Sequence, residues 1–237
     1  MIKIIPSEKR HFSDFGWLQT YWLFSFSAFY DQENIRHGAL RVFNDDIVQP
    51  QTGFGLHPHE EMEIVSIILE GEMVHKDTMG NETTIRTNDV QRMTAGTGLK
   101  HSEQNIGSAP VHFYQMWIYP DKRGLAPSYA QKNFTPDTWQ NRLALLASNK
   151  NEENIVPLNT DGSIYRATLA DDRIVTYNPA SDRKIFLYVI DGGISVNGLE
   201  MKKGDQGRID GEKSLEITTT AKGDFLLIDV PSGTEEE

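Results

Sequence analysis

Short stretches of four to nine residues, rich in aromatic and β-branched side chains and set off by Gly, Asn and Asp, recur along the whole chain. Their apolar positions repeat at a spacing of two, and helical periodicity is hard to find, which confines the chain to all-β architectures. Residues 21–29 are expected to form a half-buried strand, with Trp22, Phe24, Phe26 and Ala28 on one face and Ser25 and Ser27 on the other. Further strands are expected at 40–43, 63–69, 73–76, 83–86, 90–93, 111–119, 164–169, 184–190, 193–196, 215–219 and 225–230. Asn197-Gly198 is a strong hairpin signal between two of them.

The pattern occurs twice. Leu69-Glu70-Gly71, a strand, the Gly80-Asn81 turn, a strand and Asn88-Asp89 match Ile190-Asp191-Gly192, a strand, Asn197-Gly198, a strand and Gly204-Asp205, offset by close to half the chain. A chain of 237 residues has room for two β-domains of about 110–120 residues each. The Pro-bearing stretch 120–136 is expected to carry the connection, dividing the chain into domains 1–134 and 135–237.

Composition narrows the chemistry. Cysteine is absent, so disulfides, thiolate nucleophiles, iron–sulfur clusters and sulfur-ligated zinc are excluded, and any metal must rest on imidazole and carboxylate. Lys+Arg 23 against Asp+Glu 34 gives a net charge of −11, which disfavours direct nucleic-acid or anionic-membrane binding. The start of the chain has no apolar signal-like core, and no run approaches the roughly 18 apolar residues of a membrane span. A cytoplasmic protein is expected, with a solvated tail at Glu235-Glu236-Glu237. No phosphate-cradling glycine loop, serine elbow or dinucleotide fingerprint stands in a strand-to-helix context.

All seven histidines, His11, His37, His57, His59, His75, His101 and His112, lie in the first half. His57 and His59 share one face of an extended backbone, with Pro58 on the other; Pro at that point requires an edge strand or a strand entrance. His101 and Glu103 form a second same-face pair. Three imidazoles and a carboxylate delivered by two strands can converge on one divalent ion inside a small barrel. Glu63, four residues after His59, would share the face of both histidines on an uninterrupted strand and rivals Glu103 as the carboxylate. His75 reads as a surface residue or a supporting group, His112 as a core or interface residue, and His11 and His37 as loop residues without partners. Among the aromatics, Trp22, Phe24, Phe43 and Phe54 read first as core and second as the wall of a pocket.

Gly53-Phe-Gly-Leu-His57-Pro-His59, Glu63-Ile-Val, Leu69-Glu-Gly, His75-Lys-Asp77, Asp89-Val-Gln and Ala95-Gly-Thr-Gly-Leu-Lys-His101-Ser-Glu103-Gln-Asn105 resemble the pirin family of the cupin superfamily. Flanking stretches such as Leu40-Arg41-Val42 with Asn44-Asp45-Asp46, and Asp161-Gly162-Ser163-Ile164, are similar to family stretches too. The resemblance implies a bicupin: two tandem jelly-roll-like β-barrels, the first binding one metal and the second degenerate, without a metal site. It carries the ligand roles onto His57, His59, His101 and Glu103, and favours Glu103 over Glu63. It implies one divalent transition metal, iron foremost, with Cu, Ni, Co, Mn or Zn as alternatives. The implied activity is that of a quercetin (flavonol) 2,3-dioxygenase, in which Glu103 takes the 3-hydroxyl proton as general base and O2 then cleaves the ring with loss of carbon monoxide. The substrate would be a flavonol or similar enol, and the protein a monomer. The alternative is a metal-bound, redox-sensing or regulatory protein that engages a protein partner and has no flavonol substrate.

Overall fold

The period-two pattern becomes three β-sheets in the computed structural model, which describes residues 1–233; the acidic tail at 235–237 lies outside the described residues. A seven-stranded sheet runs Ser128–Asn133, Asp89–Thr94, Glu63–Glu70, Val111–Ile118, Leu40–Val48, Leu18–Trp22 and His11–Asp14 in spatial order. It faces a four-stranded sheet of Thr52–His59, Leu99–Asn105, Glu72–Asp77 and Glu82–Arg86, and the two enclose the first barrel. The second half builds a ten-stranded sheet around Arg183–Val196, which pairs with Gly223–Pro231 and Gln206–Asp210. The N-terminal strand Ile2–Ile5 crosses over and pairs with Gln206–Asp210 in this second sheet. Ser128–Asn133 still belongs to the first sheet, so the passage from one to the other follows Asn133. The chain is all-β, as the pattern requires, with two β-barrel halves in tandem.

The internal repeat is structural. The backbone N–H of Arg86 donates to Asp89 Oδ2 (2.7 Å), and that of Lys202 donates to Asp205 Oδ2 (2.9 Å), closing the same tight turn in both halves. Gly71 and Gly192 both have positive φ (80° and 69°), and a Cβ on either would strike a backbone carbonyl, of Pro110 and of Lys222 respectively.

The largest apolar cluster lies between the barrels. Phe43, Val65, Tyr114 and Met116 on the outer face of the first sheet pack against Phe186, Tyr188, Leu226 and Ile228 of the second. Strands Glu63–Glu70 and Val111–Ile118 are therefore buried on both faces, which explains their nearly continuous apolar sequence. A polar group sits at the same junction: Asp45 accepts from Arg10 Nη1 (3.1 Å) and His112 Nε2 (2.7 Å) of the first half and, across the junction, from Tyr188 Oη (2.8 Å). His37, expected to stand alone in a loop, instead has its Nε2 3.1 Å from the Ile185 carbonyl of the second barrel, and His11 stacks on Phe29 and Trp22.

The expected strand at 21–29 is corrected. Pairing stops at Trp22, and positive φ at Ser27 (51°) turns the chain. Trp22 and Phe26 face the interior of the first barrel, while Phe24 packs on Phe186 between the barrels. In the other direction the strand expected at 40–43 extends through Asn44-Asp45-Asp46 to Val48.

Candidate metal centre and cavity

The four-stranded sheet turns its histidines inward. His57 lies directly opposite His101, and Leu99 opposite His59. Between His101 and Glu103 the register with Thr52–His59 shifts, placing Glu103 opposite Phe54 on one side and opposite His75 on the other. Such a bulge re-aims side chains while keeping the pairing on either side. Gly53 is required by this closeness, because a Cβ there would run into the Glu103 carbonyl and Gln104 Cα.

The structure brings together three of the residues singled out from sequence as one tight group. The ligand atoms of His57, His59 and His101 lie within 4.8 Å of one another, with ring centroids 4.4 to 4.9 Å apart. Glu103 meets His101 and His75 within the same limit in an adjoining group. Among the described residues, both groups belong to the first barrel. Glu63 is not with them. Positive φ at Glu61 (49°) interrupts the strand after His59 and cancels the alternation that would have aligned Glu63 with the histidines. Its Oε2 instead accepts from the Asn159 backbone N–H (3.0 Å), near Arg92.

Hydrogen bonds fix which imidazole nitrogen is free. His57 Nδ1 donates to the Gly55 carbonyl (2.7 Å), leaving Nε2 as an acceptor. Asp77 can only accept, so the 3.1 Å contact puts a proton on His75 Nε2; His75 Nδ1 then accepts from His101 Nδ1 at 3.4 Å. His101 Nε2 is thereby left with its lone pair. Asp77 is itself held by the backbone N–H groups of Met79 and Asn81 and by Asn81 Nδ2 (2.8 Å). Sequence alone left His75 as surface or support; it is fully buried, and its one legible signal was the His75-Lys-Asp77 spacing that puts both on one face.

Opposite, Trp117 Nε1 donates to Gln115 Oε1 (3.2 Å) and Gln115 Nε2 donates to Glu103 Oε2 (3.0 Å). Glu103 Oε1, His59 Nε2 and His101 Nε2 are buried and have no hydrogen-bond partner. Each such atom costs about 1–3 kcal/mol unless something satisfies it. A divalent cation fits: the donors are converging, neutral imidazole nitrogens and one carboxylate oxygen.

Burial sets the protonation states. It lowers His59 to about 4, with the neighbouring His57 adding to the effect, and lowers His101 to about 2, reinforced by the surrounding imidazoles. Both rings are neutral near pH 7, the form that ligates metals. Burial pushes Glu103 up to about 7 against the pull of the Gln115 amide. It also raises Asp46 to about 8; the Thr20 hydroxyl opposes this, and the carboxylates of Asp45 and Glu103 add to it.

A cavity of about 450 Å³ opens beside His57, His59 and Glu103. An aromatic series runs along it, from His59 to Trp117 (4.9 Å), Phe26 (5.3 Å) and Trp22 (5.6 Å). Phe54, braced edge-on by Trp17, lies on the same cavity. Of the aromatics weighed as pocket or core, Trp22 and Phe54 line the cavity, whereas Phe24 and Phe43 belong to the junction between barrels.

The family model for pirin matches residues 6–118, and that for the quercetinase C-terminal cupin domain matches residues 145–230. A curated protein of Escherichia coli K12 called quercetin 2,3-dioxygenase is 34% identical over 98% of this chain and 99% of its own length. The chain belongs to the pirin family. Another relative, called pirin-like protein, from Caulobacter vibrioides, is 36% identical over 97% of this pirin and 99% of its own length. Among solved structures, the bacterial pirin YhhW of E. coli in complex with nickel(II) is similar with a TM-score of 0.92 and 34% identity, covering 98% of this pirin and 99% of that chain. No helix among the described residues is long and apolar enough to cross a membrane.

Proposed function

We propose that this pirin holds one divalent transition-metal ion through His57, His59, His101 and Glu103 and acts as an oxygen-dependent dioxygenase of the quercetin 2,3-dioxygenase type on a flavonol or similar enol. The observation that carries the reading is the set of buried, unpartnered donors, Nε2 of His59 and His101 and Oε1 of Glu103, at one end of an aromatic-walled cavity. The nickel complex of the E. coli pirin and the name of the E. coli relative support it. Iron and nickel are the first ions to test.

The ion, when bound, supplies Lewis acidity toward an enol oxygen. Glu103 would take the 3-hydroxyl proton on Oε1 once that oxygen is no longer a ligand, while Gln115 holds Oε2. Trp22, Phe26 and Trp117 offer ring faces and edges to a planar substrate and keep water from it.

The test is aerobic and anaerobic quercetin consumption, with carbon monoxide detection, after reconstitution with Fe, Ni, Co, Mn or Cu. Oxygen-dependent turnover is expected, falling at least about 100-fold per bound metal in Glu103→Gln. Absence of turnover with every ion contradicts the oxygenase reading and leaves the regulatory alternative.

A further inference from the structure

The strand Leu40–Val48 presents three consecutive polar residues, all buried, to two different environments. Asp45 faces the junction, where Arg10, His112 and the second barrel's Tyr188 donate to it. Asn44 and Asp46 face the other way, onto the cavity. Asn44 is 4% and Asp46 3% exposed, yet Asn44 Oδ1 and Asp46 Oδ1 have no hydrogen-bond partner. One strand thus carries a fully satisfied carboxylate on its structural face and two unsatisfied acceptors on its cavity face. In a core without a binding task, apolar side chains of similar volume would remove that cost. Leu18, Trp22 and Phe54 give this part of the cavity an apolar and aromatic lining, and the two acceptors lie on its polar side, with Asn44 opposite Gln115 in the sheet and Asp46 near enough to Glu103 to feel its charge.

We propose that Asn44 and Asp46 form a recognition site for hydroxyl groups on the substrate ring system, beside the metal-facing donors but not among them, selecting polyhydroxylated planar aromatics over unhydroxylated ones. The inference rests on the flavonol reading of the cavity. Two phenolic O–H groups, or one shared between the acceptors, would satisfy Asn44 Oδ1 and Asp46 Oδ1 as the ligand's aromatic body fills the space beside Trp22. A site built to bond a substrate hydroxyl rejects an analogue lacking it, because the buried acceptors then stay unpaired.

The experiment is anaerobic equilibrium binding, read by quenching of tryptophan fluorescence, for the metal-loaded and metal-free protein with quercetin and with 3-hydroxyflavone, which lacks the additional hydroxyls. Wild type is expected to bind quercetin at least about tenfold more tightly than 3-hydroxyflavone. Asn44→Leu and Asp46→Leu should each erode that preference toward unity while keeping or raising the Tm, a combination a structural role would not give. Should a leucine variant fail to fold, Asn44→Ser and Asp46→Ser are judged on the same ratio. Equal binding of the two compounds by wild type, no binding of either, or an unchanged ratio in the variants overturns the inference. Discrimination without oxygen-dependent consumption overturns the oxygenase reading and leaves the recognition site standing.

Discussion

The two barrels share a turn-for-turn repeat and differ in what fills them. Inside the second, Leu187, Val189, Ile194, Ile217, Phe225 and Leu227 close into a continuous apolar core. Inside the first, apolar packing is split between one cluster around Ile68 and Phe113 and a smaller one around Ile64 and Met93, with buried histidines, carboxylates and a cavity in the remaining interior. The lesson is that a cupin barrel tolerates a polar interior when its outer wall is buttressed: here the outer face of the seven-stranded sheet is sealed by the second barrel. The filled copy stabilises, and the unfilled copy keeps the groups that can do chemistry.

That contrast predicts unequal costs for the same change. Phe225→Ala in the second core should destabilise by about 3–5 kcal/mol, because a fully buried ring leaves a void. Phe54→Ala, on the edge of an existing cavity, should cost about 1 kcal/mol. Denaturant titration of both variants decides it; equal costs would erase the difference between the two interiors. Next in size, His75→Leu should weaken metal binding about 10- to 100-fold in a chelator competition, because it removes the acceptor that fixes His101 with Nε2 free. Unchanged affinity would reduce the Asp77–His75–His101 chain to packing.

The junction itself carries a pH dependence of roughly 2 kcal/mol. Burial lowers His37 from 6.5 to about 4; Arg208 and Lys184 also push it down, while the Ile185 carbonyl and Asp210 pull it up. The unfolded chain therefore takes up a proton near pH 6.5 that the folded chain refuses until about pH 4, and stability is full above 6.5 and lost progressively as pH falls through that window. His37→Gln should flatten this slope in thermal melts at pH 7.5 and 5. The smallest effect belongs to the exposed Lys76–Glu82 pair, where Lys76→Ala should change stability by no more than about 0.5 kcal/mol.

Much of this organisation was legible in the chain. Strict alternation located the strands that are polar on one face, and the paired spacings His57-Pro-His59 and His101-Ser-Glu103 picked out side chains that the structure groups inside the first barrel, because period two survives wherever a strand is regular. Reading failed where regularity did. Positive φ at Glu61 separates Glu63 from the histidines, and positive φ at Ser27 breaks the aromatic run after Trp22. His37 and His11 find partners remote in sequence or stacked across a turn, contacts that no local pattern encodes. Asn44-Asp45-Asp46 ends the apolar stretch begun at Leu40 and so reads as a strand end, although the backbone continues to Val48. Three polar residues continuing an otherwise apolar strand were the available sign of a cavity wall.

Whether the first barrel holds its metal through the donors named here can be read from ion stoichiometry after anaerobic loading with Ni(II) or Fe(II) and removal of excess ion. One ion per intact chain is expected, and close to none in His59→Ala and His101→Ala that keep the wild-type circular dichroism spectrum. Full occupancy in both folded variants would contradict the assignment of the site.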